Sequence, residues 1–212
     1  MKKIFKTLTS AAVLIGTTAL VTTQVVSQHD HQDHQRPDMN EMWESWMKLA
    51  QPGAEHARMA KQAGTWSQEN THWMYPGAEP SVSHSTATIK PILGGRFMME
   101  TSKGTFSIQG QDFPFEGFGL FGYDRLKEKH VYAWADNMGT MIMIGEGTAD
   151  PTGNVITYYS EFPNPMGEGT VRMKSVSHII GDDKAEFEMY EQQPDGSWFR
   201  NMMIKATRSN AN

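Results

Sequence analysis

Three histidines near the amino terminus form the densest group of candidate metal ligands in the sequence. His29, His31 and His34 lie within six residues of one another, together with Asp30 and Asp33. Imidazoles and carboxylates are ligands that borderline ions such as Cu(II), Ni(II) and Zn(II) accept. The segment therefore predicts a copper, nickel or zinc site, and the alternative is a solvated linker with no metal role in the cell.

A second set of candidates consists of charged and tryptophan side chains within otherwise apolar stretches. We predict that the following residues contact a ligand: Trp66, Arg96, Glu116, Trp134 and Asp136. An inward arginine beside carboxylates could hold the acid group of an apolar ligand, because a guanidinium binds a carboxylate through two hydrogen bonds. The alternatives are an internal network of ion pairs and charges that face outward on a one-sided sheet.

The two-residue period of a β-strand indicates which of these side chains share a face. Arg96 and Glu100 fall on the same face of one predicted strand. Glu116 lies on the face opposite Gly117 and Gly119, and glycine within a strand indicates room or curvature.

Recognisable catalytic signatures are absent from the sequence. It contains no H-E-x-x-H, no G-x-S-x-G, no phosphate-binding loop and no calcium-loop spacing. We therefore predict no catalytic residues, and an enzyme with a dispersed acid/base site is an alternative function. Four histidines lie singly on different predicted strands, at His72, His84, His130 and His178.

Composition excludes several chemistries and partners. The 212 residues contain no cysteine, so disulfides, thiolate metal sites and cysteine nucleophiles are ruled out. The 19 lysines and arginines against 24 aspartates and glutamates give a net charge of -5, which offers no basic surface for nucleic acid. The 19 glycines and 10 prolines indicate a chain rich in turns.

The first 27 residues have the layout of a secretory signal peptide. Lysines precede an uncharged, largely apolar run over residues 8–26, and the small Ser27 suits cleavage before Gln28. We therefore predict a secreted or periplasmic protein with no stable membrane anchor after cleavage, and an uncleaved anchor is the alternative. Residues 28–37 are predicted to be a disordered, histidine-rich tail.

Two short helices are predicted over residues 38–63. Asp38 with Glu41 three places later has the pattern of an N-cap and capping box, which begins a helix through about Ala50. A shorter helix is predicted from Ala54 to Ala63. The first helix has an apolar face, which we expect to pack on the domain's own flank or on a partner.

About ten strand-like stretches follow, separated by turn residues and without any helical crossover. Such a sheet would expose two long edges if it stayed open, and closure removes both. We therefore predict an all-β fold, a single antiparallel up-and-down β-barrel of about ten strands over residues 64–208. A β-sandwich is the competing architecture.

Several motifs together resemble the bacterial DUF1579 family, a domain of unknown function with calycin-like or lipocalin-like barrels. The matching segments include Gln51-Pro52-Gly53, Gly64-Thr65-Trp66, Gly94-Gly95-Arg96-Phe97, Pro114-Phe115-Glu116-Gly117, Gly122-Tyr123-Asp124 and Pro194-Asp195-Gly196. They extend over roughly residues 39–208. The resemblance implies a single barrel and no catalytic residues. Gly64-Thr65-Trp66 resembles the G-x-W entrance of the lipocalin and fatty-acid-binding superfamily, in which the tryptophan closes the barrel floor. The related nitrobindin barrels hold haem through one histidine, but their haem-pocket pattern is not visible in this sequence, so we do not expect haem.

These observations favour an exported barrel that binds a small, largely apolar molecule. Metal handling through the histidine-rich tail and an acid/base enzyme are the two alternatives. The expected partner is a small-molecule ligand and not nucleic acid, and a homodimer is left open.

Overall fold

The computed structural model describes residues 38–108 and 110–209 of the chain. The predicted signal peptide, over residues 1–27, lies outside the described residues. The predicted metal ligands His29, His31 and His34 also lie outside them, so both interpretations stay predictions.

The described chain forms a closed antiparallel β-barrel of ten strands, preceded by two helices. The elements are α1 (Met39–Ala50), α2 (Ala54–Ala60), β1 (Gly64–His72), β2 (Ser81–Ile92), β3 (Phe97–Ile108), β4 (Gln111–Asp124), β5 (Lys129–Asp136), β6 (Met143–Ala149), β7 (Val155–Pro163), β8 (Thr170–Ile180), β9 (Lys184–Gln192) and β10 (Trp198–Arg208). Each strand pairs with its sequence neighbours, and β10 pairs with β1. The prediction of a ten-stranded up-and-down barrel is confirmed.

Tight turns with matching residue chemistry connect the strands. Between β6 and β7 the carboxylate of Asp150 accepts hydrogen bonds from the backbone N–H groups of Asn154 and Val155, both at 3.0 Å. These bonds and one from the Thr152 hydroxyl hold the pKa of Asp150 below its usual value. Gly153 has a φ of 72°, which favours glycine. The turn therefore folds as its sequence predicts.

Buried side chains that point into the barrel alternate with more exposed ones along β1, β2 and β6, and the inward residues differ between the walls. On β1 the buried positions are Trp66, Gln68 and Asn70. Elsewhere Tyr132, Ile156 and Tyr158 form a buried apolar cluster. The interior therefore has a polar side and an aromatic side.

One end of the barrel is closed around Trp66, at the point where the chain passes from α2 into β1. The indole is 2% exposed, and its Nε1 donates to the backbone carbonyl of Gln62 at 3.0 Å. The guanidinium of Arg208 lies 4.3 Å from the centre of the indole ring and donates to the carbonyls of Lys61 and Ala63. Trp66 in the first strand and Arg208 at the end of the last strand thus both donate hydrogen bonds to the segment between α2 and β1.

Helix α1 carries an apolar face that the described residues leave uncovered. None of its side chains is buried, and Trp43 and Trp46 are 64% and 60% exposed. Its carboxyl end is held instead by Arg96 Nε, which donates to the carbonyl of Ala50 at 2.8 Å, and by Arg125, which donates to the carbonyl of Gln51 at 3.0 Å. Within residues 38–209, α1 is therefore attached through its carboxyl end. Neither described helix has the length and apolarity that a membrane span requires.

This attachment predicts the effect of removing the Arg96 guanidinium. In Arg96→Ala, α1 should open more readily by about 1 kcal/mol, or roughly fivefold, because one charged hydrogen bond is lost. Hydrogen exchange of the amides of residues 39–50 measures this opening. Arg172→Ala is the control, since Arg172 is exposed and, among the described residues, pairs only with Glu161 on the neighbouring strand. Unchanged exchange in Arg96→Ala would show that Arg96 does not hold the helix.

Candidate ligand-binding site

A cavity of about 610 Å³ lies inside the barrel. It extends from Met59 and Gln62, in and just after α2, to Trp73 and Met138 in the loops at the opposite end. This volume is within the usual range for sites that bind small molecules. The interior is therefore large enough for a ligand of some size.

One wall of the cavity is aromatic. The rings of Tyr132 and Tyr158 meet edge to face, with 5.2 Å between their centres, and Phe121 stacks on Tyr132 at 6.2 Å. The Tyr132 hydroxyl lies 3.3 Å from the Ser160 hydroxyl and donates to it. Trp134 continues this wall along β5. The wall offers both ring faces and ring edges to an apolar ligand.

Glycines on the neighbouring strand make room for the largest ring. Gly117 and Gly119 on β4 lie beside β5. A Cβ atom at Gly117 would overlap the Trp134 indole, and one at Gly119 would overlap the Phe121 ring and crowd the indole. The indole can therefore approach the backbone of β4 closely. Its Nε1 donates to Asp136 Oδ2 at 3.0 Å, and Asp136 Oδ1 accepts from the backbone N–H of Met138. These bonds fix the orientation of the ring.

The wall formed by β1, β2 and β3 is polar. Gln68 Oε1 accepts from the hydroxyls of Ser85 at 2.7 Å and Ser102 at 3.3 Å. Asn70 Nδ2 donates to Ser85 Oγ at 3.0 Å. Buried amides and hydroxyls are thus held in a network that borders the cavity and can exchange hydrogen bonds with a ligand.

Glu100 is the acidic group of this polar wall. It lines the cavity, and its neighbours in register are Ile89 on β2 and Gly119 on β4, neither of which is charged. Burial raises the pKa of Glu100 to about 7, and only a hydrogen bond with Gln68 opposes this rise. Near neutral pH the carboxyl group can therefore hold or release a proton.

His130 lies at the α2 end of the cavity. It is 3% exposed, and neither ring nitrogen has a hydrogen-bond partner among the described residues. Its Nε2 lies 3.8 Å from Glu55 Oε2. Burial lowers the pKa of His130, and the nearby charge of Arg58 lowers it further, whereas Glu55 raises it. His130 therefore favours the neutral form and has hydrogen-bonding capacity to spare.

The structure places Trp66, Trp134 and Asp136 around this one cavity, as the sequence predicted. Their contact with a ligand stays a prediction.

The predicted inward positions of Arg96 and Glu116 need correction. Arg96 has φ -76° and ψ -28°, in a tight turn before β3, so the two-residue period does not run through it to Glu100. Its guanidinium binds the carbonyls of Ala50 and Leu93 instead of facing the cavity. Glu116 is exposed and lies 3.2 Å from Lys103 Nζ. For Glu116 the alternative of an outward charge is the right one.

Sequence reasoning missed most of the polar wall. Gln68, Asn70, Ser85 and Ser102 were not among the predicted site residues, and Glu100 was noted only for its strand face. The available signal was the alternation Trp66-x-Gln68-x-Asn70 on β1. Once Trp66 is taken as inward, the period of two places Gln68 and Asn70 inward as well.

Two solved structures align with this chain, and the alignment with the first supports the barrel fold. The crystal structure of Rv2717c from M. tuberculosis aligns with a TM-score of 0.53 and 14% identity, over 76% of this chain and 100% of that chain. The S-type phycobiliprotein lyase CPES from Guillardia theta aligns with a TM-score of 0.48 and 11% identity, again over 76% and 100%. At this identity the likeness to Rv2717c concerns the fold alone. Among curated proteins, no relative matches the chain.

A family model also matches most of the chain. The model for "Protein of unknown function (DUF1579)" covers residues 51–208, which include α2 and all ten strands. The resemblance inferred from the sequence motifs is thereby confirmed, and the chain belongs to the DUF1579 family.

Proposed function

We propose that this protein binds one small, largely apolar molecule inside the barrel. The observation that carries the proposal is the cavity of about 610 Å³. The Trp134 indole lies against the wall, close to Gly117 and Gly119, where the absence of a Cβ atom makes room for it. The aromatic wall supplies apolar contact, and the network around Gln68 supplies a few oriented polar groups, which is the composition typical of small-molecule sites.

The predicted location and metal site extend this proposal but rest on other residues. The signal peptide would place the barrel in the periplasm or outside the cell. A copper, nickel or zinc site would depend on His29, His31 and His34, beyond the described residues. Neither prediction is needed for a ligand to enter the barrel.

Filling the cavity should abolish binding if the ligand lies inside. Ser177 on β8 lines the cavity, so Ser177→Trp would place an indole in the proposed site. We expect the affinity for N-phenyl-1-naphthylamine, a neutral apolar fluorescent probe, to fall at least about tenfold. Fluorescence titration measures the affinity, and native mass spectrometry of the purified protein tests for a co-purified molecule.

The matched control carries the same substitution on the outside of the barrel. Thr86 on β2 is exposed and adjacent to inward residues, so Thr86→Trp adds an indole without occupying the cavity. This variant should bind the probe like the wild type. A probe that binds Ser177→Trp and the wild type equally would contradict a site inside the barrel.

A further inference from the structure

We propose that the molecule bound in the cavity is an apolar amine, whose protonated nitrogen forms an ion pair with Glu100 while its apolar part lies against Trp134. This inference rests on the proposed function, because it requires a ligand inside the barrel. It adds the chemical class of that ligand. Three features of the cavity support it: the balance of charge, the lack of a charged partner for Glu100, and the position of Glu100 near aromatic rings.

The charged groups that line the cavity are predominantly acidic. Five carboxylic acids line it: Glu55, Glu100, Asp136, Glu186 and Glu191. Among the described residues, Arg58 is the only lysine or arginine in the lining, and it lies 2.7 Å from Glu55. His72 and His130 also line the cavity, and burial lowers the pKa of both, so that they are neutral near pH 7. Such an interior favours cations and disfavours carboxylates.

Glu100 differs from two of the other acids in lacking a partner that could stabilise its charge. Glu55 is paired with Arg58, and Asp136 accepts from the indole of Trp134 and a backbone N–H. Glu100 has only the neutral amide of Gln68. A buried carboxylate is stable when a cation and its hydrogen bonds compensate for lost solvation. The described chain supplies no such cation at this position, and a ligand amine would.

The strand register places Glu100 next to a surface for the apolar part of the ligand. Glu100 on β3 is opposite Gly119 on β4, and Gly119 is opposite Trp134 on β5. With strands about 4.8 Å apart, the two side chains start about 10 Å from each other on the same wall. The Phe121 ring and the edge of the indole both lie close to Gly119, in the gap between them. An amine bound at Glu100 would therefore meet the indole, which also attracts cations.

An arginine that binds the acid group of a ligand, as the sequence predicted, would imply a carboxylate ligand instead of an amine. The positions of two arginines argue against a carboxylate. Arg96 points away from the cavity and binds the end of α1. Arg58 lies at the α2 end and is already paired. A fatty acid or other carboxylate would therefore meet Glu100 on the polar wall without a free guanidinium beside it.

Three naphthalene probes of similar size test the ligand class. They are 2-(1-naphthyl)ethylamine, 1-naphthaleneacetamide and 1-naphthaleneacetic acid, which are cationic, neutral and anionic at pH 8. Calorimetric titration of the full chain should show the amine binding at least about tenfold more tightly than the acid, because a charged hydrogen bond replaces a repulsion. The amide should lie between them.

Two isosteric variants locate the effect. Glu100→Gln should weaken binding of the amine about tenfold while changing binding of the amide less than about twofold, because only the ion pair is removed. Glu116→Gln makes the same change on the exposed face of β4 and should leave all three probes unaffected. Binding of the amide confirms that each variant keeps its cavity.

A pH series provides a readout that a loss of folding would not produce. The residues that face Glu100 from β1, β2 and β4 are Gln68, Ile89 and Gly119, and none of them titrates. Wild-type affinity for the amine should rise about tenfold from about pH 5.5 to about pH 8 as Glu100 loses its proton, and this rise should be absent in Glu100→Gln. The amide should show no comparable change.

The outcomes separate this inference from the proposed function. Equal binding of the amine and the acid, or an amine affinity that Glu100→Gln leaves unchanged, would overturn the inference while the cavity site stands. If none of the three probes binds, and N-phenyl-1-naphthylamine does not bind either, the proposed function fails and the inference fails with it.

Discussion

Replacing Trp66 with alanine is expected to destabilise the barrel by about 4 kcal/mol, the largest effect of any substitution considered. The indole is 2% exposed at the closed end, and its removal would leave a large void there. The change would also remove the hydrogen bond to Gln62 and the contact with the Arg208 guanidinium. Denaturant unfolding followed by circular dichroism measures the free energy of unfolding.

A second tryptophan provides the control for this prediction. Trp43 on α1 is 64% exposed, and Trp43→Ala should change the free energy of unfolding by less than about 0.5 kcal/mol. Trp66→Phe keeps most of the buried volume but loses the Nε1 donor, so its cost should fall between the two alanine variants. If Trp66→Ala costs no more than Trp43→Ala, the closed end does not depend on Trp66.

The architecture was predictable because each strand carries its own local signals. Turn residues such as those from Asp150 to Gly153 mark where strands end, and closure follows from the cost of two free edges. The position of Trp66 was predictable for the same reason, since the preceding Gly64 and the short helix fix where β1 begins. Register between neighbouring strands then follows from short connections.

The contents of the cavity were less predictable because a single turn can reverse the direction of a side chain. One residue in a helical conformation, Arg96, interrupts the alternation just before β3, and the guanidinium points to α1. For Glu116 the sequence left both faces of β4 open, and glycines and phenylalanines occur on both. Glu100, which does face the interior, was assigned to a strand face from the sequence, but nothing in the sequence showed that this face is the inner one. Its importance appears only once the uncharged residues around it are known.

Replacing Glu100 with glutamine should stabilise the ligand-free protein at pH 8 by about 3 kcal/mol. Folding raises the pKa of Glu100 from 4.5 to about 7, so the folded state holds this proton more tightly than the unfolded chain does. The resulting stability is fully present below about pH 4.5 and is lost as the pH rises through about 7. Glutamine does not ionise, so the variant keeps at high pH the folding stability that the wild type loses when Glu100 ionises. Urea unfolding of both proteins across this pH range measures the difference.

The difference in the free energy of unfolding between wild type and Glu100→Gln separates the effect of Glu100 from that of the histidines. Burial lowers the pKa of His56, His72 and His130, so these groups destabilise the folded state as the pH falls below 6.5, in both proteins equally. A difference that stays constant from about pH 4.5 to about pH 8 would show that Glu100 is not held in an unfavourable environment.

Binding of an amine should reduce the stability difference between wild type and Glu100→Gln at pH 8. No such change is expected if Glu100 does not contact the ligand. At pH 8, 2-(1-naphthyl)ethylamine should stabilise the wild type more than Glu100→Gln, because it compensates the charge that destabilises the free protein. At pH 5, where Glu100 is protonated, the amine should stabilise the two proteins equally. Side chains that cost stability in the free protein are typical of sites that act on a ligand. Glu100 therefore links the stability of the empty barrel to the chemistry proposed for its ligand.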